Sequence, residues 1–302
     1  MDHIRVDSAD NSTGNLIKGY ALIVLAALLW STLGSFYKDL INSYGITPLS
    51  IAFFRAVLSG SVLLVGLLFF RPQLLVVEWR DIPLLVSFGV FGVAGFFMVY
   101  VFAVDSAGVG VAAVLLYTAP VWITIISRQF LGETISHRQW MALGLAFLGC
   151  TLVVDIYNLE QMKTNAVGIL FGLASGLGYA LYSVFNKASV KRYSPWTVLL
   201  YGMSIGALIL LPMQSMSEVV GALQMPPVLL RLLGVALVAT LGSGLAFATG
   251  LKFVPVSSAG VVANLEPVSA VVLAFLLFGE MMTGGQLLGG VLIIIGAILS
   301  TI

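Results

Sequence analysis

Apolar runs about 20 residues long, the length a helix needs to cross a bilayer, follow one another through this chain with hardly a pause. YALIVLAALLWSTLGSFY (20–37) is followed within a few residues by IAFFRAVLSGSVLLVGLLFF (51–70). In hydrocarbon every backbone N–H and C=O must find a partner inside the segment or in a closed barrel. The runs are continuous and do not alternate, so helices rather than barrel strands are expected. Of 302 residues, 60% are hydrophobic and only 9% are charged, far below the roughly one quarter charged of soluble domains. The chain reads as an all-α polytopic membrane protein.

Charges, prolines and glycine clusters divide it into ten expected spans, near 17–38, 47–70, 82–104, 109–128, 138–155, 165–187, 195–213, 228–250, 256–278 and 284–301. A polar segment, 1–16, precedes them and lacks the basic n-region and cleavage site of a signal peptide. With that segment in the cytoplasm, ten Lys and Arg fall on the cytoplasmic side. They are Arg5, Lys18, Arg71, Arg80, Arg128, Arg138, Lys187, Lys191, Arg192 and Lys252. Only Lys38, Lys163 and Arg231 fall outside. The positive-inside bias therefore puts both termini in the cytoplasm. Net charge is +1, which implies no nucleic-acid partner. The single Cys150 excludes an internal disulfide.

The stretch VVANLEPVSAVVLAFLLFGE (261–280) lies on VLLYTAPVWITIISRQFLGE (114–133) when shifted back by 147 residues (267 minus 120). Pro267 then falls on Pro120, Gly279 on Gly132, Glu280 on Glu133, Gln286 on Gln139 and Gly296 on Gly149. Earlier parts match at 149 (168 minus 19), where Gly168 lies on Gly19, Phe185 on Phe36, Lys187 on Lys38 and Tyr193 on Tyr44. Five spans per copy is an odd number, so the second copy enters the membrane from the opposite side. The expected architecture is a 5+5 inverted repeat, 17–155 and 165–301, around a central cavity, the plan of many secondary transporters.

Ten spans in two sets of five, an arginine in FFRAVLSG of span two, and the tandem Pro120…Gly132-Glu133 and Pro267…Gly279-Glu280 carry a family resemblance. The chain resembles the EamA-type exporters of the drug/metabolite transporter superfamily over residues 19–301. Within them it looks most like bacterial exporters of aromatic and other hydrophobic amino acids. The resemblance implies a helical basket in the bacterial inner membrane, opened alternately to either side. It also implies export of a small-molecule substrate, a hydrophobic or aromatic amino acid, with proton coupling open.

The candidate substrate-binding residues are polar and aromatic side chains inside spans. Trp30, Gly34 and Tyr37 recur at i, i+4 and i+7, one helical face. Their repeat mates are Tyr179, Ser183 and Asn186, with Tyr182 nearby; Tyr100, Tyr117, Trp122 and Asn264 come from other spans. Such walls suit an amphipathic solute, although Trp and Tyr also form interfacial belts.

Charges inside spans are costly and mark partners or cavities. Glu266 has three open readings: binding a substrate amino group, carrying a coupling proton, or pairing with a base. Arg55 reads first as a structural or gating charge and second as a receptor for a substrate carboxylate. Lys38 and Lys187, near helix ends, are expected to snorkel to the interface. Asp105 and Lys252 are expected to be solvated, and Glu133 and Glu280 to serve helix termini. Pro120 and Pro267 are expected helix kinks, since proline removes a backbone donor one turn earlier. The glycine clusters GVFGVAG (89–95), GLASGLG (172–178) and GSG (242–244) read as close helix contacts, with a hinge near the last.

No G-x-x-x-x-G-K-[ST] motif occurs, so ATP does not drive transport directly. The only histidines, His3 and His137, lie outside the spans, so no enzyme site, metal or cofactor is expected. The polar tips are too scattered for a channel's continuous pore. The expected function is secondary export of aromatic and other neutral amino acids; the alternative is export of lipophilic cationic drugs. Two fused halves form a complete pair, so a monomer suffices.

Overall fold

A computed structural model describes residues 3–154, 166–279 and 281–302, the side chains of 3–12, 277 and 278 excepted. Lys163, Glu280, residues 1–2 and the junction 155–165 lie outside the described residues, as does the side chain of Arg5. The described chain is helical, without strands. Helices α1 (His3–Ser31) and α2 (Leu33–Tyr44) are followed by α3 (Pro48–Phe70), α4 (Ile82–Ser87), α5 (Phe96–Leu116), α6 (Ala119–Ile126) and α7 (His137–Val153). Then come α8 (Ala166–Val190), α9 (Pro195–Leu210), α10 (Met216–Gln224), α11 (Pro226–Gly234), α12 (Ser243–Gly250), α13 (Val256–Ala263), α14 (Leu265–Phe278) and α15 (Gly284–Leu299).

Seven described stretches are long and apolar enough to cross a membrane: Thr13–Tyr44, Pro48–Phe70, Trp79–Leu116, Ala166–Val190, Pro195–Met213, Pro226–Gly250 and Val256–Leu276. A shorter apolar helix covers Gly284–Leu299. Of the ten expected spans, the fifth, 138–155, matches none of these stretches, and two local details differ as well. No loop separates the third and fourth expected spans; α5 runs on to Leu116 and turns at Gly108, with φ 81° and ψ 162°. Only glycine takes that conformation without a Cβ clash, so one residue replaces a loop. The first expected span, conversely, is broken at Thr32. There the Ser31 and Thr32 hydroxyls donate back to the carbonyls of Leu28 and Leu29, both at 2.7 Å, bonds that compete with the helix ladder. The proposed common face of Trp30, Gly34 and Tyr37 is thereby split between α1 and α2.

Local structure repeats at the offset seen in the sequence. Widened, π-type turns occupy Phe88–Gly95 and Val235–Gly242, 147 residues apart (235 minus 88). Breaks at Tyr117–Thr118 and at Asn264 each precede their proline, Pro120 or Pro267, by about one turn. Gly132 and Gly279 both end helices in the left-handed conformation, with φ 69°. Ser136 and Thr283 each cap the next helix by accepting from the backbone N–H of Gln139 and Gln286, at 3.2 Å.

The packing repeats as well. Helix α3 lies on α9, α7 on α15, α1 on α12 and α5 on α8. A Cβ on Gly149 would stand 2.6 Å from the carbonyl of Gly289, while one on Gly296 would stand 2.9 Å from that of Ala142. Gly149 and Gly296 are repeat mates, and so are Ala142 and Gly289. In the same way Gly19 abuts Val254, and its mate Gly168 abuts Ala107. Small residues at these crossings let the backbones approach closely, the usual basis of helix association in lipid.

Candidate functional site

The middle of the bundle holds a nest of rings. Trp30 and Tyr179 meet edge to face, at 5.9 Å between centroids and 84° between planes. Tyr179 stacks on Tyr182 at 6.2 Å, and Phe247 touches both Trp30 (5.1 Å) and Tyr182 (6.2 Å). Phe96 lies 5.6 Å from Tyr179 and 6.4 Å from Tyr100. Separations of 4.5–7 Å with offset or edge geometry are the favourable ones for aromatic pairs. Four elements contribute: α1, α5, α8 and α12.

The nest carries polar tips with nothing to bond. The Tyr179 hydroxyl and the Asn264 amide nitrogen are buried without a hydrogen-bond partner. Neither end of the fully buried Asn186 amide meets a partner of good geometry, although the Tyr182 hydroxyl stands within electrostatic reach one turn away. Each such orphan costs roughly 1–3 kcal/mol, a cost that a polar ligand or water relieves.

Glu266 opens α14, immediately after the break at Asn264. Its residue is half-buried. Its carboxylate interacts electrostatically with Tyr100, Tyr117, Tyr179 and Cys150. Arg55 is buried on α3 and donates from Nε to the Thr240 hydroxyl at 3.0 Å. Its guanidinium lies 4.2 Å over the Phe97 ring. One turn on, the Ser59 hydroxyl donates to the Ala236 carbonyl at 2.9 Å. Arg55 therefore ties α3 to the widened 235–242 turn while facing the ring nest.

The remaining candidates stand elsewhere. Tyr37 packs against the main core from α2 and reaches Tyr100 electrostatically. Tyr117 packs beside Cys150, Val153 and Ile293, and Trp122 is half-buried on α6. Lys38 is exposed and lines a cavity of about 850 Å³ together with Asp39, Asn42, Ser43 and Arg231, between α2, α11 and α14. A smaller space of about 280 Å³ adjoins it through Thr32 and Leu273 and runs between α1 and α14 past Ser31 and Ser269. The other candidates line neither space.

Lys187 does not snorkel. Its Nζ donates to the carbonyls of Leu251 and Val254, the latter at 2.7 Å. Glu133 serves the N-terminus of α13, accepting from the N–H groups of Val256 (2.8 Å) and Ser257 (3.1 Å) and from the Ser257 hydroxyl (2.6 Å). Together they clamp the α12–α13 turn. Asp105 and Lys252 are exposed.

Sequence reasoning missed Phe96, Phe97, Thr240 and Phe247. Phe247 had a usable signal, since it is the repeat mate of Tyr100 (247 minus 147). The others carried none.

A model of the EamA-like transporter family matches residues 17–155 and again 166–302. The chain belongs to that family. It is 33% identical over 284 residues to an uncharacterized transporter of Archaeoglobus fulgidus, covering 93% of this chain and 96% of that one. It is 26% identical to a pseudopaline exporter of Pseudomonas aeruginosa, over 68% of this chain and 70% of the relative. A solved crystal structure superposes with a TM-score of 0.78 at 19% identity, covering 93% of this chain and 95% of that one, which concerns the fold. The chain is thus a multi-pass membrane transporter.

Proposed function

We propose that this transporter crosses the bacterial inner membrane ten times, as two inverted sets of five helices with both termini in the cytoplasm. It exports small hydrophobic metabolites, aromatic and other neutral amino acids above all, by alternating access. The observation that carries this reading is the ring nest of Trp30, Tyr179 and Tyr182 with its orphaned tips on Tyr179, Asn186 and Asn264. Flat apolar walls take an aromatic side chain, and unsatisfied donors and acceptors take the polar end. The paired packing of repeat mates supports the inverted plan, and the name of the Pseudomonas relative supports export.

The test is counterflow in proteoliposomes. Vesicles preloaded with unlabelled phenylalanine, tryptophan, methionine or leucine should accumulate labelled phenylalanine; vesicles preloaded with aspartate or lysine should not. No counterflow with any amino acid, from folded protein, sinks the substrate reading. A second reading rests on Glu266, because a deep carboxylate beside tyrosines also suits a lipophilic cation. Counterflow of a quaternary ammonium dye in the same vesicles would favour it.

A further inference from the structure

The two cavities form one groove with unlike ends, meeting at Thr32 and Leu273, which line both. The wider part, about 850 Å³, is polar and charged: Lys38, Asp39, Asn42 and Ser43 of α2 line it together with Arg231 of α11. Ser35, Lys38, Asp39 and Asn42 stand at i, i+3, i+4 and i+7, so one face of α2 supplies this wall. Arg231 is fixed by three contacts. Its Nε donates to the Asp39 carboxylate, its Nη1 donates to the Pro227 carbonyl at 2.9 Å, and its guanidinium lies 4.9 Å over the Tyr44 ring. Asp39 also accepts from the Ser43 hydroxyl at 2.8 Å. Two cations, Lys38 and Arg231, against the one carboxylate leave the wall one positive charge in excess (2 minus 1).

The narrower part, about 280 Å³, is hydrocarbon in character. Leu28 of α1 lines it with Val268, Val272 and Leu273 of α14. Its three hydroxyls are spent on their own helices: Ser31 and Thr32 donate to the Leu28 and Leu29 carbonyls, and Ser269 to the Leu265 carbonyl at 2.9 Å. This wall therefore asks a ligand for no hydrogen bond. Leu28 and Val272 keep exposed surface, which in a bilayer meets lipid. Lys38 and Leu28 are ten residues apart (38 minus 28), about 15 Å at 1.5 Å per residue. That is half of the roughly 30 Å hydrocarbon core, so the groove runs the depth of one leaflet.

We propose that this groove holds one anionic phospholipid of the surrounding leaflet, its phosphate at Lys38 and Arg231 and an acyl chain between α1 and α14. The charge excess selects the headgroup, and the crevice takes the tail. A free phosphate would satisfy only the wide end, and a neutral lipid only the narrow one. The lipid sits at the α1–α2 break, where the first expected span bends. Neither the transported substrate nor the side of the membrane that this end faces enters into it.

The test is native mass spectrometry of the full-length protein, equilibrated in detergent with phosphatidylglycerol or phosphatidylcholine of the same chains. Wild type should retain one phosphatidylglycerol where phosphatidylcholine is stripped, a preference of about fivefold or more, the usual worth of one Lys or Arg near an anionic headgroup. Lys38→Gln and Asn42→Asp change only the charge at the wide end, and each should cut that preference several-fold without altering phosphatidylcholine retention. Leu273→Trp fills the junction and should lose both lipids. Should it fail to fold, the two variants at exposed positions still decide the matter. Equal retention of the two lipids by wild type, or an unchanged preference in either charge variant, would overturn the proposal. So would displacement of the lipid by inorganic phosphate, which would make the wide end a plain anion site, or by phenylalanine, which would put the groove on the transport path.

Discussion

The two ends of the bundle are built from repeat mates and finished differently. At the end where α1 begins, Lys187 and Glu133 grip both sides of the α12–α13 turn. Beside them Asp81, almost buried, accepts from Arg192 and from the Tyr193 hydroxyl at 2.7 Å. The Asp81 carboxylate at its hydroxyl raises the Tyr193 phenol above its ordinary pKa. At the far end the corresponding tyrosine, Tyr44 (193 minus 149), lies under the Arg231 guanidinium, and Arg231 pairs with Asp39 in a half-exposed setting. The mate of Lys187, Lys38, lines the 850 Å³ cavity. The first end is held by part-buried polar contacts; the second holds the 850 Å³ cavity. Duplicated backbone therefore supplies common breaks and crossings, while the polar contacts described at the two ends differ.

The largest effect should come from the scaffold that both ends share. Gly149→Val would push a side chain onto the Gly289 carbonyl and force α7 from α15, at a cost of about 3 kcal/mol or more. The expected outcome is little folded protein in size-exclusion chromatography, whereas Gly144→Ala, which meets nothing within 4 Å, should purify normally. Equal yields would mean that the crossing is not the shared anchor.

Next come the clamps. Glu133→Gln removes charge-assisted bonds worth about 1.5–3 kcal/mol, enough to shift an open–closed balance by roughly 10- to 100-fold. Ser189, buried with its hydroxyl unpartnered two residues beyond Lys187 on α8, reports it. Maleimide labelling of Ser189→Cys should accelerate in the Glu133→Gln and Lys187→Met backgrounds and hardly change in Lys38→Met. If Lys38→Met accelerates it equally, the two ends are not independently gated.

The smallest effect belongs to the exposed pair. Asp39→Asn should leave counterflow rates within about twofold, with the difference shrinking at high salt. A large, salt-insensitive loss would make the far-end pair as structural as the Asp81 clamp.

The sequence by itself determined the helical membrane class, the two copies and the transporter family, because apolar length, proline position and glycine spacing are local quantities that bilayer physics reads directly. It also placed the paired breaks before Pro120 and Pro267, which follow from a missing backbone donor. The break at Thr32 escaped it, since serine and threonine bond back to the helix only in some packing contexts, and Gly108 hid a turn inside what reads as a gap. The partners of Lys187 were equally hidden: the Leu251 and Val254 carbonyls belong to the other side of a folded turn and have no side-chain signature. Phe96 and Phe97 look like any lipid-facing phenylalanine until neighbouring helices bring them to Tyr179 and Arg55. Which charges pair and which stand apart, Arg192 with Asp81 but Arg55 without Glu266, is decided by distances between helices. Only the tertiary structure holds those.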